Sequence, residues 1–358
     1  MSKHPVFCRM TGLILLILIS LMIVPLSGCQ TTAAATTTTT PAATTVTETT
    51  TAATTAAAFP VEIVDATGAK VVIESAPQAI IATNVWAGEM LLDLVDASRI
   101  KALSAWGDDP VLSAFAEKAA AVKDRVDIST PESLVALQPD LVIIDTFSDP
   151  DGALTKTLSE AGIPVVQLAS PTDFTMIADT LTTLAKATGE TVRGAELVDT
   201  MNATLTKVAD AVKAVPEADR VKVMYYEDYY DASGNSANML CAYGVGSPFD
   251  AIAKAAGVVN VCNAANYSPV AKEKVVGEWQ PDLLVIPAMQ FDDQFKAIDD
   301  KGATLTAAIK LDPVLATLPA VKNSKILAIA DKYRGSTSHY MAQAVAELAA
   351  AAYPDLVG

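Results

Sequence analysis

The segment Gln138-Pro139-Asp140-Leu141-Val142-Ile143-Ile144 returns as Gln280-Pro281-Asp282-Leu283-Leu284-Val285-Ile286. In each copy a short helix-like stretch (131–137 and 273–279) runs up to a Pro that cannot continue it. The Leu/Val/Ile run behind each Pro reads as a strand buried on both faces, as in a parallel sheet covered by helices. The copies lie 280 − 138 = 142 residues apart, one domain's length. The repeat therefore predicts two similar α/β lobes. The cleft between two lobes is where small ligands bind.

Outward from the repeat, Val61 to Asp65 and Lys70 to Glu74 alternate around Thr67-Gly68 and predict a β-hairpin. Strands are predicted at 79–82, 100–105, 141–145 and 162–168, with a helix from Trp86 to Val95. Short apolar strands alternating with helices specify a doubly wound, three-layer α/β lobe. Residues 173 to 215 carry no strand signal. One helix stops near Gly189, and a second runs from Glu190 to Val215 with Val192, Val198, Met201, Leu205, Val208 and Val212 on one side. Roughly 25 residues at about 1.5 Å each give roughly 37 Å, enough to cross the molecule. A second α/β set follows: strands at 221–226, 283–286 and 325–330, helices at 249–256 and 338–352. The expected organisation is a first lobe over 59–170, a helical connector over 171–215 and a second lobe over 216–358.

The amino terminus specifies location. Lys3 and Arg9 precede an apolar stretch from Leu13 to Leu26, shorter than the roughly 20 residues that span a bilayer. It ends in Leu26-Ser27-Gly28-Cys29, which resembles a bacterial lipobox. That resemblance implies a signal peptide over 1–28, cleavage before Cys29, lipid on Cys29 and an extracytoplasmic protein anchored to the cell membrane. Residues 30 to 58, nearly all Thr and Ala, lack the large apolar side chains that offset the entropy of ordering and are expected to form a disordered tether.

From Cys29 onward the formal charge is 23 − 41 = −18, because Lys3 and Arg9 leave with the signal. So acidic a chain argues against a nucleic-acid partner, which needs clustered Lys and Arg. Cys241 and Cys262 remain as an even extracytoplasmic pair, compatible with a disulfide and equally with two buried thiols. No catalytic constellation stands out. A single His (His339) follows Cys29, there is no Gly-rich phosphate loop behind a strand, and the paired acids read as solvated loops. Neither an enzyme, a resident cofactor nor a metal site is expected.

Several strings carry a family resemblance: "APQAIIATN" (76–84) with a following helix containing Glu89, "TPESLVALQPDLVII" (130–144), "SPFDAIAKAAGVVNV" (247–261), "LPAVKNSKILAIADKY" (318–333) and "AELAAAAYPDLV" (346–357). Together they resemble the substrate-binding proteins of ABC importers for iron–siderophores, haem and cobalamin. The resemblance implies two α/β lobes joined by one rigid helix, a ligand held between them, and delivery by a monomer to a permease and its ATPase. It also implies one exposed Glu on each lobe that docks on the transporter. Glu132, seven residues before Pro139, matches the first; seven before Pro281 stands Lys274, so Glu273 matches the second only with a one-residue shift. Other readings of the same fold are an extracytoplasmic ligand sensor, an enzyme, or a binder of bare metal ions. The last is disfavoured by the single His.

Ligands of open α/β sheets sit at the carboxyl ends of the strands. That rule nominates Asn84, Trp86, Trp106 and Phe147 in the first lobe. In the second it nominates Tyr226, Tyr229, Tyr230, Met289, Phe291, Tyr333 and Arg334, and Tyr243 joins the same wall. Recurrent aromatics suit a large planar ligand. With Lys332 and Arg334 the only cations in these loops, a neutral or weakly charged hydroxamate chelate, corrinoid or haem fits better than a polyanionic catecholate.

Overall fold

The computed structural model describes residues 58–126, 128–228, 240–292, 294 and 296–357. The signal segment, Cys29, the Thr/Ala tether up to residue 57, and Tyr229 and Tyr230 lie outside them. No described helix is long and apolar enough to cross a membrane.

The predicted hairpin forms from β1 (Val61–Val64) and β2 (Lys70–Ile73), antiparallel with Val61 opposite Ile73. The first lobe then alternates. In chain order come β3 (Ile80–Ala82), α1 (Val85–Leu94), β4 (Ile100–Ser104), α2 (Ala116–Ala119), β5 (Asp124–Val126), α3 (Pro131–Ala136), β6 (Leu141–Asp145), α4 (Ala153–Glu160) and β7 (Val165–Leu168). The five strands form one parallel sheet, ordered β5-β4-β3-β6-β7. The chain leaves β3 toward β4 on one side and later places β6 on the other. The β3/β6 junction is therefore the switch point where such sheets open a crevice.

The chain passes from this sheet to the second once, through α5 (Phe174–Thr188) and α6 (Thr191–Val212). Gly189 ends α5 at φ 83°, a left-handed cap that glycine adopts without strain. The 22 residues of α6 span roughly 33 Å. Its buried stripe of Leu197, Met201, Val208 and Val212 packs on α5 of the first lobe and on the closing helix of the second, so one helix joins the lobes.

The second lobe runs β8 (Lys222–Glu227), β9 (Cys241–Tyr243), α7 (Pro248–Ala255), β10 (Val259–Asn260), β11 (Tyr267–Pro269), α8 (Lys272–Lys274) and β12 (Leu283–Pro287). After these come β13 (Met289–Phe291), β14 (Ala297–Asp299), α9 (Ala303–Leu311), α10 (Pro319–Lys322), β15 (Ile326–Ile329), α11 (Asp331–Arg334), α12 (Met341–Ala352) and α13 (Pro354–Val357). Its sheet is ordered β11-β9-β8-β12-β15, with β10 also on β8. The β8/β12/β15 core is parallel as expected, but β9 and β11 run antiparallel, so the sheet is mixed. The β13–β14 hairpin is a further addition beside the carboxyl end of β12.

Candidate binding cleft

The first lobe exposes two large aromatics at the carboxyl ends of its strands. Trp106, in the 3-10 turn directly behind β4, is 58% exposed, and Phe147, two residues past β6, is 81% exposed. Phe147 is held from beneath. Asp145, 3% exposed at the end of β6, accepts the Phe147 backbone N–H at 2.6 Å, the Trp86 ring N–H at 3.3 Å and the Ser170 hydroxyl.

Trp86 does not form an open wall. It is 5% exposed and belongs to the first lobe's apolar core. The reason is local: Asn84 caps α1, its Oδ1 accepting from Ala87 N at 2.9 Å, so the helix starts at Val85 and carries Trp86 inward. Asn84 itself is half-buried, and its Nδ2 has no hydrogen-bond partner among the described residues.

In the second lobe, Arg334 is the centre. Its guanidinium carbon lies 4.9 Å from the Tyr225 ring centre and 5.1 Å from that of Tyr243, its Nη1 donates to the Tyr243 hydroxyl at 2.9 Å, and its Nη2 pairs with Asp331. Tyr225 and Tyr243 pack edge to face at 5.2 Å. Burial pushes both tyrosine hydroxyls upward despite the nearby cation, so they stay neutral phenols. Arg334 remains charged among them. Its Nε and the Tyr225 hydroxyl have no hydrogen-bond partner among the described residues. The alternation along β8 is thus opposite to the expectation for Tyr226. Tyr225 supports Arg334, while Tyr226, fully buried, points to the sheet's other face among Met224, Leu284 and Ile286.

A cavity of about 370 Å³ lies between the lobes. Pro110 and Val111 of the first lobe face Met289, Asp331 and Lys332 of the second across it, with Lys301 and Glu347 also lining it. Met289 is nearly buried in this wall, while Phe291 and Tyr333 are half-buried beside it. Lys332 Nζ lies 5.3 Å from the Tyr333 ring centre.

The disulfide is not formed: Cys241 and Cys262 are both buried and not joined. Cys241 pairs with Glu227 at one end of β8, whereas Cys262 follows β10, whose partners Lys222 and Val223 are at the other end.

Glu132 and Glu273 are both exposed, on α3 and α8. The Gln of the repeat follows the two Glu residues by 138 − 132 = 6 and 280 − 273 = 7 positions. The extra residue is absorbed by a π-helical turn over Val275–Trp279, where Gln280 N donates to Val275 O at 2.9 Å. The one-residue shift that separates Glu273 from the Glu132 spacing thus has a structural cause.

Two α/β lobes, a single connecting helix and a cavity between the lobes, lined by Pro110 and Val111 on one side and by Met289, Asp331 and Lys332 on the other, define a two-lobed solute-binding protein. The chain belongs to the periplasmic binding protein family, whose sequence profile matches residues 80–333. A cobalamin-binding protein of Halobacterium salinarum is 23% identical over 275 residues, covering 76% of this chain and 68% of the relative. The same fold occurs in the apo periplasmic heme-binding protein RhuT of Roseiflexus sp. RS-1, at TM-score 0.61 and 20% identity over 79% of this chain and 100% of that one. It occurs also in the molybdate-bound periplasmic binding protein MolA of Haemophilus influenzae, at TM-score 0.64 and 20% identity over 82% and 91%. Family and fold are those of extracytoplasmic solute-binding proteins rather than of enzymes.

Proposed function

We propose that this protein is a membrane-anchored lipoprotein that captures an iron–siderophore, haem or corrinoid between its lobes and delivers it to an ABC importer. The observation that carries the ligand class is the exposed pair Trp106 and Phe147 at the carboxyl ends of β4 and β6. Broad apolar faces there suit a macrocycle or a chelate with an apolar rim. Among the three ligands, the corrinoid has the support of the Halobacterium relative. Across the cleft, Tyr243, Met289, Phe291 and Tyr333 form the opposing wall, with Tyr229 and Tyr230 assigned to it from the sequence. Arg334, paired with Asp331, adds little net charge there, which suits a ligand of low net charge.

Cys29 carries the lipid, residues 30 to 58 act as tether, and Glu132 and Glu273 dock on the permease, one from each lobe. Equilibrium dialysis of the full chain against cyanocobalamin, haemin and a ferric hydroxamate tests the reading. Saturable one-to-one binding of one of them supports it; binding of none refutes it.

A further inference from the structure

Two carboxylates of α1, Glu89 and Asp93, stand one helical turn apart, and both reach partners on the other lobe. Glu89 has no exposed surface; its Oε2 accepts from the Ser338 hydroxyl and its Oε1 from the Ala114 backbone N–H at 2.9 Å. Ser336 Oγ lies 3.3 Å from Ser338 Oγ. Asp93 Oδ2 meets His339 Nε2 at 2.9 Å and accepts from the Tyr340 hydroxyl at 2.6 Å, while its Oδ1 pairs with Lys118 of α2. Residues 336 to 340 lead from α11 into α12 of the second lobe. Besides α6, a buried polar clasp therefore ties the lobes together.

The two carboxylates differ in what faces them. Asp93 has Lys118 and the His339 ring. Glu89 has two serine hydroxyls, one amide and, a turn away, the negative charge of Asp93; no cation pairs with it among the described residues. Burial, together with Asp93, pushes Glu89 up to about 7 against the hydrogen bonds it accepts. Asp93, although burial opposes it, is held low by His339, Lys118 and Tyr340.

We propose that Glu89 is a proton-linked positioning residue: closing the clasp takes up a proton on Glu89, and losing that proton weakens the hold on residues 336–340 and lets the lobes part. With the clasp open and water admitted, Glu89 moves back toward its ordinary value of 4.5. A carboxyl that is higher in the closed state favours closure fully below 4.5, and that advantage fades as pH rises to about 7. Between pH 5 and pH 8 the opening constant rises by at most roughly seventyfold on this linkage. The proposal rests on the two-lobe geometry and not on which ligand is bound.

Hydrogen exchange of the full, ligand-free chain tests it, read at the amides of 336–341 and corrected for intrinsic rates. Protection is expected to fall at least tenfold from pH 5 to pH 8, and to stay level in Glu89→Gln, which keeps the size and cannot ionise. Equal protection at both pH values, or a Gln variant that keeps the full fall, would overturn the proposal. Ser338→Ala, altered on the other lobe, offers a second readout. Loss of its hydroxyl raises the midpoint of the fall, and an unmoved midpoint contradicts the assignment to Glu89.

Discussion

Gln138 and Gln280 share one backbone conformation, left-handed at φ 51° and φ 42°. Each reverses the chain between a helix and a buried strand, and the Asp two residues later fastens that strand to its neighbour. The Asp140 carboxylate accepts the backbone N–H groups of Gln78 at 2.6 Å and Ala79 at 2.8 Å, and Asp282 accepts that of Lys222 at 3.0 Å. The Asp140 and Asp282 amides return bonds to Ala79 and Lys222 carbonyls at 3.1 and 2.8 Å. The repeat therefore joins β6 to β3 and β12 to β8 at their amino ends, whereas Trp106 and Phe147 sit at the opposite, carboxyl ends of β4 and β6.

A non-glycine residue in the left-handed region is strained by its Cβ. Gln138→Gly and Gln280→Gly are each expected to raise stability by about 0.5–1 kcal/mol. Asp140→Ala, which frees two backbone donors, is expected to lower it by about 1–2 kcal/mol. Thermal unfolding followed by circular dichroism reads all three.

Trp86 and Trp106 separate core from cleft. Trp86→Ala empties a buried site and is expected to lower stability by about 3–5 kcal/mol. Trp106→Ala removes an exposed ring and is expected to leave the melting temperature within a degree or two while weakening ligand binding by about 1–3 kcal/mol. Denaturant unfolding paired with ligand titration distinguishes the two.

Charge reversal at the docking positions should spare the cleft. Glu132→Arg and Glu273→Arg are expected to bind ligand as the unaltered protein does and to lose ligand uptake through the importer. Lys274→Glu is expected to change uptake little on the proposed assignment of Glu273, rather than Lys274, to the second docking position. A larger loss from altering Lys274 than from altering Glu273 would reverse that assignment.

Cys29→Ala should release the protein from the membrane fraction or block its processing. Fractionation followed by mass measurement of the mature amino terminus checks this. Unchanged membrane retention and processing would remove the lipid anchor from the account.

The parts legible in the sequence are those written as long apolar runs with sharp ends. The repeated Gln-Pro-Asp strings specify β6 and β12, Thr67-Gly68 the opening hairpin, and the one-sided apolar stripe ended by Pro216 the connector α6. Strands of two or three residues, such as β5, β9, β10 and β11, are too short to carry a period, so the mixed character of the second sheet stays hidden. Trp86 was misplaced because Asn84 reads equally as a loop residue and a helix cap. Tyr226 was misplaced because β8 is covered on both faces, so alternation alone does not tell which face meets the cleft. The Glu89–Ser338 contact joins residues 338 − 89 = 249 apart, and no local pattern marks it.

The central claim is that a planar or macrocyclic ligand stacks on the exposed first-lobe aromatics. Its most direct test is tryptophan quenching of the full chain titrated with cyanocobalamin, haemin and a ferric hydroxamate, repeated on Phe147→Ala and on Trp106→Phe. One ligand is predicted to quench saturably, with affinity reduced at least tenfold in Phe147→Ala and most of the quench lost in Trp106→Phe. Quenching and affinity unchanged in both variants would place the ligand elsewhere and contradict the account.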